Sequence, residues 1–293
     1  MKYNAKSMFD EIKNSYNPKS ESLFKDVMKF AAGNTYLVRL VPTVTDPKQS
    51  TYHYFHHSWK SVSTGQFVSA LCPKTYGESC PIDNYIFNIY NNGTEEQKKA
   101  NRLISRKDNW MVNAYVINDP VTPENNGKVK VIRYGSELNK IIESALKGDD
   151  AEEFGAKIFD VLDGCTLRIK CESKTDKKNA SAVSTTYVSS KFLAPSTLDG
   201  ITEEKLDEIH NSVFDLTSFM KPKKAAELQR MLDVHFLCIK DADAKEEVEE
   251  DDEPTNASSS RPEKREVESN NPVTSETDED TDAKLKALLA DLD

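Results

Sequence analysis

Charge is segregated along this chain in a way that limits how much of it can fold. Residues 241–293 hold 19 acidic and 6 basic side chains, a net of −13, whereas the whole 293-residue chain carries −10. Residues 1–240 are therefore mildly basic, at +3. A segment so acidic, and rich in Ser and Pro, buries too little apolar surface to offset the entropy of ordering it. The pattern predicts a disordered acidic tail over 241–293 and a core built from the residues before it. The tail ends in Asp282-Ala-Lys-Leu-Lys-Ala-Leu-Leu-Ala-Asp-Leu-Asp293, with Leu285, Leu288, Leu289 and Leu292 at i, i+3, i+4 and i+7. That spacing draws one apolar stripe on a short helix, a tip suited to binding a partner protein and of no use to a purely solubilising tail. A basic body joined to an acidic arm suits a polyanion-binding protein that carries its own competitor.

Several classes are set aside at once. No apolar run approaches the roughly 18 residues that a membrane span needs. The first ten residues, Met1 to Asp10, lack the apolar stretch of a signal peptide. Five cysteines, odd in number and sparse, fit a reducing compartment better than a disulfide framework. The expectation is a soluble intracellular protein.

Along the chain, residues 1–20 read as an arm with one short amphipathic helix (Met8, Phe9, Ile12) stopped by Asn17-Pro18. Residues 21–240 form the body. Thr35–Val41 predicts a strand, and so do Trp110–Ile117, Lys128–Tyr134, Cys165–Cys171 and Val183–Phe192. Helices are expected over Tyr85–Tyr90, Glu95–Ile104, Leu138–Leu146, Glu203–His210 and Lys223–Phe236. Between Tyr52 and Ile86, histidines and cysteines crowd among Gly, Pro and Ser, which reads as an inserted subdomain over about 52–90. Asn118-Asp-Pro120 and Glu124-Asn-Asn-Gly127 read as turns with solvated carboxylates at Asp119 and Glu124. The fold class is α+β with a mainly β core, and an OB-fold-like barrel with insertions and flanking helices is the leading candidate.

The densest mixture of cations and aromatics runs from Arg102 to Tyr134: Arg102, Arg106, Lys107, Trp110, Tyr115, Lys128, Lys130, Arg133 and Tyr134. A second patch holds Arg168, Lys170, Lys174, Lys177, Lys178, Tyr187 and Lys191. Single-stranded nucleic acid asks for this mixture, because cations track phosphates while aromatic faces stack on any base. The same residues also suit an ordinary strand surface with Trp110 turned into the core. His57, Cys72 and Cys80, followed at C-x2-C spacing by Asp83, suit a tetrahedral zinc site whose last ligand is a carboxylate. His53 and His56 are rival donors, and an unmetallated loop held by Trp59, Phe67 and Tyr76 is the alternative. No phosphate loop, nucleophile elbow or zinc-protease helix occurs, so a non-enzymatic protein is expected. Cys165, Cys171 and Cys238 read as core thiols.

Taken in order, the basic arm, the His…Cys…Cys stretch, Arg106-Lys-Asp-Asn-Trp110, Asp119–Val129 (Asp-Pro-x-x-Pro-Glu-Asn-x-Gly-Lys-Val), Arg133-Tyr-Gly135 and the acidic tail ending in Asp-Leu-Asp have a family counterpart. The chain resembles the single-stranded DNA-binding proteins of T-even-type bacteriophages. The resemblance implies an OB-fold core and a zinc subdomain with a DNA cleft between them. It places Arg39, Tyr90, Arg106, Lys107, Trp110, Arg133 and Tyr187 on that cleft, with zinc on His57, Cys72, Cys80 and Asp83. It further implies cooperative self-association through the N-terminal arm and recruitment of replication and recombination proteins by the tail. The role implied is the coating of exposed strands during phage DNA replication, recombination and repair in the cytoplasm of the infected host. Asp83 stands where the family pattern has a third cysteine. The arm motif is reduced to Lys2-Tyr-Asn-Ala-Lys-Ser7. An RNA-binding translational regulator and a replication scaffold that does not bind DNA are the alternative functions.

Overall fold

The computed structural model describes residues 23–148, 150–175 and 183–239. The N-terminal arm, Lys177 and Lys178, and the acidic tail with its leucine tip lie outside the described residues. Among the described residues, nine strands and five α-helices follow in order: β1 (Thr35–Val41), β2 (Thr51–Lys60), β3 (Phe67–Leu71), α1 (Pro81–Asn92), α2 (Glu95–Ala100), β4 (Lys107–Asn118), β5 (Val129–Tyr134), α3 (Ser136–Lys147), β6 (Leu167–Lys170), β7 (Glu172–Thr175), β8 (Val183–Thr186), β9 (Lys191–Phe192), α4 (Glu203–Asn211) and α5 (Ala225–His235). The fold is mixed α+β around a mainly antiparallel sheet, ordered β3-β2-β4-β1-β6-β9 with β5 also on β4; β7 and β8 form a separate hairpin.

Strand β4 organises the sheet. One of its edges is shared lengthwise: residues Lys107–Val112 pair with β2 and Asn113–Asn118 with β1. Its other edge carries β5, from Trp110↔Tyr134 to Tyr115↔Val129. β1 and β2 thus lie end to end along one rail, separated by the excursion 42–50.

Side-chain alternation gives the sheet two buried faces. On one, Val38, Leu40, Val112, Ala114, Ile132 and Ile169 meet Leu138, Ile142 and Ala145 of α3. On the other, Tyr54, Met111 and Val131 meet Phe24, Phe219 and Met220. A third cluster joins Trp59, Cys72, Cys80, Ile82 and Ile104 to Leu228 and Leu232 of α5. Burial of apolar area in these three clusters is the main favourable term for the fold.

The structure corrects the sequence reading in three places. Residues 52–86 contain two regular strands, β2 and β3, that the sequence reading did not assign; β2 carries no aliphatic side chain and is buried through Tyr, His, Ser and Trp. Phe67 and Tyr76 are about half exposed, at 50% and 48%, and do not hold that region together. Asp119 is buried, not solvated: its carboxylate accepts from the backbone N–H groups of Val121 (3.0 Å) and Thr122 (2.9 Å) and from Asn125 Nδ2 (2.8 Å). Gly127, at φ +76°, then returns its N–H to Val116 O at 2.8 Å. Left-handed backbone at this point explains the Gly of the Pro-Glu-Asn-Asn-Gly stretch. Asp119→Ala removes the buried acceptor of two backbone N–H groups and of the Asn125 amide and should cost about 1–3 kcal/mol of stability, read as a lowered denaturant midpoint. A change within about 0.5 kcal/mol would show that the loop does not depend on this carboxylate.

Candidate functional site

Cross-strand register places His53 of β2, Trp110 of β4 and Tyr134 of β5 side by side. Their rings stack: His53 on Trp110 at 4.6 Å and 8°, Trp110 on Tyr134 at 6.2 Å and 16°. Tyr134, the inner end, is buried, and burial pushes its phenol pKa up. Both faces of Trp110 are thus covered, which differs from an open stacking platform. The outer end of the stack is His53, whose side chain is 44% exposed and whose Nε2 lies 3.2 Å from Asp108 Oδ1. Two residues along β2, Phe55 meets His53 edge-on at 4.7 Å. Over the Phe55 ring, 4.6 Å from its centroid, sits the Arg106 guanidinium, a cation–π contact. The result is an unbroken run Tyr134–Trp110–His53–Phe55–Arg106 across three strands.

The opposite parity of the same strands carries the other cations. Lys107 Nζ donates to Ser58 Oγ at 2.9 Å, and Arg133 Nη2 lies 3.3 Å from His56 Nε2. The Asn109 amide lies 2.8 Å from the other ring nitrogen of His56. Burial first, then the Arg133 and Lys107 charges, push the His56 pKa down to about 3, which keeps the ring neutral and able to accept from Arg133. Lys29, Phe67, Lys107, Arg133 and Tyr187 help to line a hollow of about 320 Å³ here, at the small end of ligand-sized clefts. Tyr187 is half-buried, edge-on to Phe30 at 6.0 Å.

Not every expected residue joins this rim. Arg39 is fully buried, with Nη2 donating to Ser196 O at 2.6 Å and Ser196 Oγ at 3.1 Å, so it offers no face to a ligand. Desolvation lowers its pKa. Lys130 pairs with Asp26 at 2.7 Å, and its charge is largely spent there. Arg102 and Lys128 are exposed, and so is Tyr90, at 71% on α1. In the second patch, Lys170 pairs with Glu172 at 2.7 Å. The residues that sequence reasoning missed are His53 and Phe55 as stack members, and His56 and Asn109 as supports of Arg133. The alternation His53-x-Phe55-x-His57 was the available signal for the first two.

Four of the expected donors do come together. His57, Cys72, Cys80 and Asp83 place one donor atom each within 4.8 Å of one another. Individual separations are 3.4 Å (Cys80 Sγ–His57 Nε2), 3.5 Å (Cys72 Sγ–Asp83 Oδ2) and 3.8 Å (His57 Nε2–Asp83 Oδ1). Bonds of about 2.0–2.3 Å at tetrahedral angles need edges of about 3.3–3.8 Å, so the donor set fits zinc. His57 Nδ1 donates to Ile104 O at 2.8 Å, which turns Nε2 to the centre. The Cys80 thiol is acidified, first by its hydrogen bond with Cys72 and then by His57 and the Asp83 backbone N–H. Cys72 is shifted the other way by the same pairing and by burial. Its rivals are engaged elsewhere: His53 stacks on Trp110, and His56 supports Arg133.

These donors join β2, the start of the 73–76 turn and the N-terminus of α1, so an ion there links elements of the third cluster. Chelation, or Cys80→Ser, should lower the melting temperature by about 5–10 °C, the linkage expected at a hundredfold excess over Kd. A melting curve indifferent to chelator would remove the metal from this account.

Comparison with known proteins places the chain in a family. Residues 31–234 match the family model described as gp32 DNA binding protein like. The single-stranded DNA-binding protein of Enterobacteria phage T4 is 27% identical over 196 residues, covering 64% of this chain and 60% of the phage protein. Its counterpart from Enterobacteria phage T2 is 26% identical over 220 residues, covering 72% of this chain and 68% of that protein. The family match covers well over half of the 293 residues and is to DNA-binding proteins, not enzymes, and the chain belongs to the gp32-like family of DNA-binding proteins.

Proposed function

We propose that the chain binds single-stranded DNA without reading its sequence and coats exposed strands during phage genome replication, recombination and repair in the host cytoplasm. The observation that carries this reading is the run of stacked rings ending in Arg106, with Lys107 and Arg133 on the adjoining rim. Phosphates need cations spaced along a path, and bases need π-faces; this rim offers both within three strands. The exposed outer face of His53 is the natural first stacking surface. Trp110 reports on it from beneath. The antiparallel sheet is read as an OB-type barrel opened by the metal-holding insertion, with zinc as the ion on His57, Cys72, Cys80 and Asp83. The ion orders the cleft wall and does no chemistry. Cooperative contacts between neighbouring copies are assigned to residues 1–20. The acidic tail competes with DNA for the basic rim, and its leucine tip recruits replication and recombination proteins once a strand displaces it.

Titration with poly(dT) should quench tryptophan fluorescence. Trp110→Phe should remove most of that quenching, and Trp59→Phe, which changes a buried ring in the third cluster, should keep it. In the same titration, a chain lacking residues 241–293 should bind more tightly, most of all at low salt. Quenching that survives Trp110→Phe would move the binding path off this rim. Equal affinity with and without the tail would end the competition model.

A further inference from the structure

Asp83 faces two ways. One carboxylate oxygen, Oδ1, lies 3.8 Å from His57 Nε2 in the donor cluster; the other, Oδ2, lies 3.5 Å from Cys72 Sγ and also accepts from Arg106 Nη1 at 3.1 Å. Arg106 is held from its other side by the Phe55 ring. The carboxylate is mostly buried and the guanidinium partly open, with side-chain exposures of 18% and 38%. Asp83 therefore sits between the metal centre and the outermost cation of the nucleic-acid rim. A thiolate at this position has a single sulfur with which to serve the metal, whereas a carboxylate brings two oxygens whose lone pairs can be shared between the donor cluster and a guanidinium. The helix secures the arrangement: Cys80 caps α1, Pro81 follows it, and Asp83 falls in the first turn, where a negative charge is favoured.

We propose that Asp83 is a positioning residue that couples the metal centre to DNA binding through Arg106. Each partner draws on the same carboxylate charge. A cation at the centre weakens the hold of Asp83 on Arg106 and leaves the guanidinium readier for a phosphate. A phosphate on Arg106 in turn leaves the carboxylate a stronger metal donor. The coupling is reciprocal by linkage, so DNA tightens metal binding by the same factor that metal tightens DNA binding. This inference rests on the single-strand and metal readings above.

The test is a thermodynamic cycle with Co²⁺ as the probe metal and a (dT) oligomer as the probe strand. Metal affinity is read from cobalt absorption with and without the oligomer, and oligomer affinity from anisotropy with and without cobalt. In the full chain each ligand should tighten the other about fivefold or more. Asp83→Cys should still bind cobalt, with added thiolate-to-metal absorption, and should lose most of the coupling. Arg106→Gln should lose it equally, and the double variant should lose no more than either single change, because all three break one linkage. Full coupling retained in Asp83→Cys would overturn the proposal and assign the effect to ordering of the subdomain. Cobalt and oligomer binding independently in the unaltered chain would overturn it too. Failure of the unaltered chain to bind the oligomer or cobalt at all would overturn the underlying readings instead, and the proposal with them.

Discussion

Lys107–Asn118 is a twelve-residue strand whose one edge is divided between two partners, and both halves of the protein hang on that division. Its second half, bonded to β1, belongs to the sheet core; its first half, bonded to β2, belongs to the part that gathers the His57, Cys72, Cys80 and Asp83 donors. Because the side-chain period is two, a slip of one residue in this register would turn Trp110 away from His53 and Tyr134 and bring Asn109 or Met111 opposite them instead. Asn113 pins the crossover point. Its Nδ2 donates to Phe214 O and its Oδ1 accepts from Phe214 N, both at 3.0 Å, tying the strand to the segment that covers its second face.

The site follows from where that strand runs out. At Lys107–Asn109 it has left β5, which stops at Tyr134 opposite Trp110, while it still pairs with β2. Side chains of both parities become accessible there. One parity supplies the stack that ends at Phe55 and Arg106; the other supplies Lys107 and the His56–Arg133 support. His56 is kept neutral by burial beside two cations, so it can accept from Arg133 without adding to the local positive charge. The cations are thereby oriented while remaining at the surface, where a phosphate can reach them.

Much of the architecture was legible from the sequence. Thr35–Val41 was read with its observed bounds, and Trp110–Ile117, Lys128–Tyr134 and the five helices fell within a few residues of theirs, because apolar periodicity marks elements that are buried on one face. β2 and β3 were not legible. The buried positions of β2 are filled by Tyr, His, Ser and Trp, whose polar atoms bond to the backbone and to other side chains in ways that composition does not reveal, and β3 is only five residues long. The donor set was legible by spacing, while the choice of His57 over His53 and His56 needed the strand's alternation. Arg39, placed on the cleft by the family resemblance, is buried, and the Ser196 carbonyl accepts its hydrogen bond. The acidic arm and its leucine tip lie outside the described residues.

The central claim is that Arg106, Lys107 and Arg133 form one phosphate-tracking rim beside the ring stack. The most direct measurement is the slope of log affinity against log salt for a (dT) oligomer, taken for the unaltered chain and for Arg106→Gln, Lys107→Gln and Arg133→Gln. Each cation that meets a phosphate contributes about 0.7 to the slope on a single strand. The account predicts that each substitution makes the slope shallower by about that amount, with affinity falling on every sequence alike. Unchanged slopes in all three variants, with binding intact, would place the strand elsewhere on the protein and contradict it.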